Sequence, residues 1–325
     1  MRIFVTRELP GIAPGLLRDA VGAEHVSFYP GDSPIPRTEL LDAVRGVDAI
    51  LAILTERIDG ELLDAAGPQL CIVANMAVGY DNIDVPAATA RRVPITNTPG
   101  VLTETTADLA FALLMAAARR FSDAERFLRN GEWKYWSPSL LLGADIHGKT
   151  LGIYGMGRIG QAVARRARGF GMRVLYHNRT RLAPALEHEL SAEFVDRATL
   201  LATSDFVSVH CPLTPETRHA FGPAEFAAMK PTAVFVNTAR GPVVDEAALA
   251  SALRARQIFA AGIDVFEEEP RILPELLACE NAVLLPHVGS ATFDTRGKMA
   301  EVAARNIIAR LQGERPPNCV NPEVL

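Results

Sequence analysis

Short apolar runs alternate with amphipathic stretches along most of this chain. Over residues 1–98 the apolar runs fall at 3–5, 26–28, 49–54, 71–74 and 93–96. Between them, apolar positions recur at helical spacing over 15–20, 38–44, 60–66 and 85–91. Runs this short, bounded by turn residues, read as buried strands. Strand–helix alternation predicts a parallel sheet with helices on both faces. Pro30, Gly31, Pro34 and Pro36 mark a loop within the block.

Near Thr98-Pro99-Gly100 the pattern changes. Leu109, Leu113 and Ala116-Ala117 repeat at helical spacing with no glycine before Gly131, which predicts a single helix over 104–129. The segment after it, GEWKYWSPSLLLG, reads as a loop and holds both tryptophans, Trp133 and Trp136. Aromatics on such a loop either cover a partner or a site, or simply pack.

From Thr150 the alternation resumes. Apolar runs fall at 151–154, 173–176, 206–210, 233–236, 259–263 and 282–285. Helical patterns cover 158–170, 199–202, 224–229 and 245–256, and a final helix is expected over 291–312. The expected fold class is α/β, with two doubly wound parallel-sheet domains, Rossmann-like or flavodoxin-like, and a cleft between them as the place for a ligand.

Composition narrows the function classes. The 325 residues suffice for two domains, and 49% hydrophobic with 22% charged residues is ordinary for a globular protein. A net charge of -5 argues against nucleic acid as a partner. The longest apolar block, 109–118, is too short to span a bilayer, so no membrane partner is expected. Cys71, Cys211, Cys279 and Cys319 show neither C-x-x-C pairing nor metal-ligand spacing. They read as free thiols in a reducing compartment, with no metal site. With no leader-like segment ahead of the run at 3–5, the expected location is the cytoplasm.

Candidate chemistry begins at Gly155, Gly157 and Gly160, in G-x-G-x-x-G spacing between the run at 151–154 and a helical pattern. The first glycine allows a tight turn, the second lets backbone approach a pyrophosphate, and the third lets helix and strand pack closely. The helix N-terminus then offers unpaired N–H groups to phosphate. Ligands in such sheets bind beyond the carboxyl ends of the strands. That rule selects Arg240 after 233–236, Asp264 and Glu269 after 259–263, and His287 after 282–285. Singly, each reads more readily as a surface or loop residue; together at consecutive strand ends they form a constellation. His210, also at a strand end, is a rival for the acid–base role.

With these motifs in view, the chain resembles the D-2-hydroxyacid dehydrogenases over nearly its whole length. The similarity is carried by AVGYDNID at 77–84, GMGRIG at 155–160, HCPLTPET at 210–217, VNTARG at 236–241, GIDVFEEEP at 262–270 and PHVGS at 286–290. The resemblance implies a discontinuous substrate-binding domain, 1–98 plus 288–325, a dinucleotide-binding domain, 99–287, and a homodimer. It gives Arg240, Glu269 and His287 the catalytic roles; Glu269 is chosen from three consecutive glutamates because it precedes Pro270. Arg240 can clamp the carboxylate of a 2-oxo acid, His287 can protonate its ketone oxygen, and Glu269 can hold the imidazole.

The resemblance also implies substrate contacts from Leu54, Val78 and Gly79, the last two through backbone N–H groups. It further implies cofactor contacts from Thr106, Arg158, Ile159, Cys211, Pro212, Thr217, Thr238, Ala239 and Gly289. Asp264 is similar to the residue that meets the carboxamide end of the cofactor, with a strand-end cap as the alternative. After the second strand of the dinucleotide fold, NAD-using proteins place an acid. Here stand Asn178, Arg179 and Thr180, which favours NADP(H), with NAD(H) possible if Arg179 is only a loop cation. This loop and the tryptophan segment resemble glyoxylate/hydroxypyruvate reductases, in which a neighbouring subunit lends a tryptophan, here Trp136. Two alternatives stay open: an NAD-linked enzyme for a larger 2-oxo acid, and a non-catalytic dinucleotide-sensing module.

Overall fold

The computed structural model describes residues 1–325. The chain forms two compact units: Met1–Leu102 with Ser290–Leu325, and Thr103–Gly289. Its first elements are β1 (Ile3–Val5), α1 (Ala13–Val21), β2 (Val26–Phe28), α2 (Arg37–Ala43), β3 (Ala49–Ala52), α3 (Gly60–Ala66), β4 (Ile72–Asn75), α4 (Val85–Ala90) and β5 (Ile95–Thr96). The second unit adds α5 (Thr103–Ala118), α6 (Phe121–Arg129), β6 (Thr150–Tyr154), α7 (Arg158–Gly169), β7 (Arg173–His177), α8 (Pro184–Leu190) and β8 (Ala192–Phe194). It continues with α9 (Arg197–Thr203), β9 (Phe206–Val209), α10 (Pro223–Ala228), β10 (Val234–Asn237), α11 (Glu246–Arg254), β11 (Ala260–Ile263), α12 (Pro274–Leu277) and β12 (Ala282–Leu284). The chain then returns to the first unit as α13 (Phe293–Leu311).

Helix starts follow local chemistry. Asp59, Asp84, Asp196, Asp245 and Thr292 each accept a backbone N–H three residues on, stabilising the first turns of α3, α4, α9, α11 and α13.

The first unit is a five-stranded parallel sheet in the order β2-β1-β3-β4-β5, the flavodoxin-like arrangement. One face packs Phe4, Ile50 and Val73 under α2 to α4. The other packs Ile3, Val5, Leu51 and Ile72 against α1 and the alanines of α13, Ala300, Ala303 and Ala304. The C-terminal tail completes the β5 edge, where Val320 N donates to Ile95 O (2.7 Å) and Ile95 N donates to Asn321 Oδ1 (2.8 Å).

The second unit is a seven-stranded parallel sheet ordered β12-β11-β10-β9-β6-β7-β8. Its order reverses between β6 and β9, so the loops after these two strands border the switch point where dinucleotides bind. Both faces are apolar, with Phe206, Phe221, Phe226 and Phe235 fully buried. The doubly wound α/β class expected from the sequence is what the chain adopts in both units.

One expectation is corrected, and three short elements carried no mark in the sequence pattern. The segment over 104–129 is two helices, broken at Arg120, whose backbone is left-handed (φ 54°). The break has a tertiary cause: Ala144 N donates to Ala118 O at 2.8 Å, and Gly143 lies so close to that carbonyl that a Cβ would collide with it. The strand β8 and its helix α8 went unmarked in the pattern because β8 is a three-residue edge strand with Glu193 exposed. The helix α12 went unmarked as well, at one turn long.

Candidate active site

The glycine loop leaves β6 at Gly155. Its φ of 102° and the backbone of His210 and Cys211, 2.5 to 2.6 Å from where a Cβ would sit, admit only glycine there. Gly157 stands at the N-cap of α7 without any side-chain cap, and Gly160 lies in its first turn. The N–H groups of Gly157, Arg158 and Ile159 have no acceptor within the protein, leaving a donor cluster at a 12-residue helix. The loop is closed by Asn178, whose Oδ1 accepts the Met156 N–H at 2.6 Å. Sequence reasoning missed this tie, which uses the Asn178 oxygen on protein rather than leaving it for a ribose. Arg179 and Thr180 beside it are exposed.

At the ends of β10, β11 and β12 the second unit gathers three ionisable groups. His287 Nδ1 lies 2.7 Å from Glu269 Oε2, each side chain 28% exposed. Glu269 Oε1 accepts the Phe266 N–H (3.0 Å). Burial opposes ionisation of Glu269, but the His287 hydrogen bond and charge, the Phe266 N–H and the Arg240 charge outweigh it and hold the carboxyl below its usual range. Arg240 is presented by a tight turn built on Asn237, which is 1% exposed. Asn237 Oδ1 accepts Ala239 N and its Nδ2 donates to Arg240 O, both at 3.0 Å. Nothing in the strand pattern pointed to Asn237, although an Asx residue ending a strand is a turn signal.

Asp264 supports the same loop. Its carboxylate accepts the N–H groups of Val288 and Gly289 (2.8 Å each), and its carbonyl accepts His287 N (2.9 Å). Burial raises its pKa, against the lowering effects of those N–H groups and the His287 charge. This is the strand-end cap of the two readings, with a lone pair on each oxygen left over. The backbone of His287 is itself held in the left-handed region, φ 52°.

His210 is placed less well than His287 for the acid–base role. Its Nε2 meets Ser208 Oγ at 2.8 Å, and burial pushes its pKa down to about 3, so the ring is neutral at ordinary pH. Cys211 is buried beside the glycine loop, and burial pushes its thiol up to about 12. Thr217 spends its hydroxyl on Pro212 O (2.7 Å), shaping the loop that carries Pro212. Thr238 Oγ1, beside Ala239, is buried with no partner. Thr106 is buried on α5 and flanks Gly289. The α7 donor cluster and the orphan Thr238 hydroxyl fit a dinucleotide whose polar groups would satisfy them.

In the first unit, Leu54 (38% exposed) follows β3. Val78 and Gly79 follow β4, and their N–H groups have no acceptor in the protein. Trp136 is 76% exposed on the segment after α6.

A doubly wound sheet with an open glycine turn at its switch point and an acid–histidine pair at its strand ends defines a dinucleotide-dependent oxidoreductase. Comparison with known proteins gives the family. Residues 111–289 match "D-isomer specific 2-hydroxyacid dehydrogenase, NAD binding domain". The chain is 54% identical to a glyoxylate reductase of Thermococcus gammatolerans, covering 100% of this chain and 97% of that one. A crystal structure of a Thermus thermophilus protein superposes with a TM-score of 0.92 at 47% identity, covering 98% of this chain and 100% of that one. An NADPH-dependent glyoxylate/hydroxypyruvate reductase from Sinorhizobium meliloti, solved with NADP and malonate, superposes with a TM-score of 0.82 at 33% identity, covering 99% and 97%. The chain belongs to the D-isomer specific 2-hydroxyacid dehydrogenase family. It is an NAD(P)-dependent enzyme.

Proposed function

We propose that the protein reduces glyoxylate and hydroxypyruvate to their 2-hydroxy acids, with NADPH preferred over NADH. The observation that carries the reading is the His287–Glu269 pair at 2.7 Å, with the Arg240 charge acting on the same carboxylate. The reduced nicotinamide supplies the hydride that reaches the carbonyl carbon. Arg240 binds the substrate carboxylate through charge-assisted hydrogen bonds and polarises the ketone. His287, with Nδ1–H donated to Glu269, presents Nε2–H to the carbonyl oxygen and gives it the proton that completes the alcohol. Glu269, kept ionised, accepts the Nδ1–H and fixes the orientation of the ring. Leu54 and the N–H groups of Val78 and Gly79 complete the binding of a small 2-oxo acid.

Cofactor preference rests on Asn178, Arg179 and Thr180. No carboxylate there repels a 2′-phosphate, and Arg179 is exposed and available to it. One charge-assisted bond is worth about 1.5–3 kcal/mol, or roughly 10- to 100-fold in preference. Steady-state kinetics with both cofactors test this: wild type favours NADPH, and Arg179→Ala loses the preference. A wild-type preference for NADH would sink it.

The same reading makes the protein a cytoplasmic homodimer, with Trp136 of each copy entering the other's site. Its support is the exposed Trp133, Tyr135 and Trp136 (55, 76 and 76%) and four free cysteines. Light scattering on the eluted protein would show twice the chain mass. For the reaction itself, His287→Ala should abolish glyoxylate-dependent NADPH oxidation while NADPH still binds. Turnover surviving in that variant would remove His287 from the proton-donor role.

A further inference from the structure

The segment Ala77-Val78-Gly79 has neither helix nor strand to fix its peptide planes, yet each carbonyl in it has a donor. Thr98 N donates to Ala77 O at 2.9 Å. Asn97 Nδ2 donates to Val78 O at 2.8 Å, and Asn75 Nδ2 donates to Gly79 O at 3.0 Å. In a trans peptide the N–H lies on the edge opposite the C=O. A bond to the carbonyl of residue 77 therefore aims the N–H of Val78, and a bond to the carbonyl of Val78 aims the N–H of Gly79. Both N–H groups lack any acceptor in the protein.

The geometry points to Asn97 as a positioning residue for carboxylate recognition: it orients the Val78–Gly79 peptide so that the Gly79 N–H is presented to the substrate's carboxylate. The inference rests on the reading, given above, of the Val78 and Gly79 N–H groups as substrate contacts, and it assigns them the substrate's carboxylate. Asn75, fully buried at the end of β4, holds the next peptide and also bonds Asn82 (3.2 Å). Asn82 in turn donates to Glu56 O at 3.0 Å, tying this segment to the loop that carries Leu54. Three side-chain amides thus set the registration of both loops. Of the three, only Asn97 bonds the Val78–Gly79 peptide.

Labelling with 13C-carbonyl valine and 15N-glycine leaves three signals in a carbonyl-to-amide spectrum, from the Val-Gly pairs ending at Gly22, Gly79 and Gly289. Oxamate, an unreactive analogue of glyoxylate, is titrated into the NADP-bound protein. In wild type the Gly79 amide should shift on binding. The Gly22 amide, bonded to Arg18 O, should stay put and report an intact fold. In N97D, which keeps the side chain's size but loses the donor, and in N97A, oxamate affinity read at Gly79 should fall roughly 10- to 100-fold. The KM for glyoxylate should rise in parallel, with kcat and NADPH affinity within about twofold of wild type, as expected for loss of ground-state and transition-state binding together.

Gly79 responding equally in all three proteins overturns the inference and leaves the proposed reaction standing. A wild-type Gly79 that ignores oxamate overturns both the anchor and its positioning. Loss of the Gly79 response in the variants, with no glyoxylate turnover by wild type, supports the positioning role and rejects the proposed reaction.

Discussion

Glu267, Glu268 and Glu269 are identical in the sequence and divergent in the structure. The Glu267 carboxylate accepts the Glu246 N–H at the start of α11 (2.8 Å) and the Glu246 carboxylate accepts the Glu267 N–H, while Glu268 faces solvent beside Arg271. Only Glu269 meets His287. Glu187 illustrates a different use of a carboxylate. It accepts the Tyr176 hydroxyl (2.5 Å) and the Arg181 guanidinium (2.8 and 2.9 Å), and these bonds lower its pKa to about 2. A carboxyl whose folded pKa is depressed stabilises the fold above its unfolded pKa and loses that contribution as pH falls through the folded one. Glu187→Gln should therefore melt lower than wild type at pH 7, with the gap narrowing between about pH 4.5 and 2. A gap independent of pH in urea titrations would rule out an ionic origin. Arg240 and His287 were candidates in the sequence because each follows a strand that the apolar pattern located, whereas Glu269 was picked from three glutamates only by family resemblance, as the one before Pro270. Asn237, Asn97 and the Asn178–Met156 tie were not legible there, because an amide's role depends on which distant backbone group the fold brings to it.

At the level of elements, strands and helices with strong apolar periodicity fell within a few residues of their expected places. The exceptions arose where a neighbour decided the outcome, as at the end of α5, or where the element was too short to show a period, as in β8 and α12. The break between α5 and α6 is the clearest: Ala and Leu residues run up to it without a glycine, and the stop comes from a segment some 25 residues downstream. Gly143→Ala tests this. A methyl group there meets the Ala118 carbonyl, and overpacking of this kind costs about 1–3 kcal/mol. Chemical denaturation should show that loss, and an unchanged midpoint would mean the approach is not what ends α5. The short β8 extends the sheet through Tyr176, paired with Phe194 in register and in ring contact. That contact joins β8 to β7 and cannot be read from three residues alone.

For the molecule as a whole, two units each carry their own pair of apolar faces, and the first is assembled from both ends of the chain. Truncation after Gly289 should spare the second unit and unfold the first, because it strips α13 from Ile3, Val5, Leu51 and Ile72 and removes the Asn321 cap from β5. Limited proteolysis checks this: a resistant core near Thr103–Gly289 is expected, and survival of intact 1–102 would contradict it. The discontinuity was legible only through family resemblance, since apolar periodicity shows that a final helix exists and not which sheet it covers.

The dependence of β1 to β5 on α13 also sets an order of events during synthesis. The first 102 residues leave the ribosome with one apolar sheet face covered by α1 alone, and α13 is made only among the 223 residues that follow. At roughly 5–20 residues per second that interval lasts about 10–45 s. Throughout it the N-terminal segment is an exposed client for chaperones, while the middle of the chain already has everything it needs to fold. The portion made first is therefore finished last.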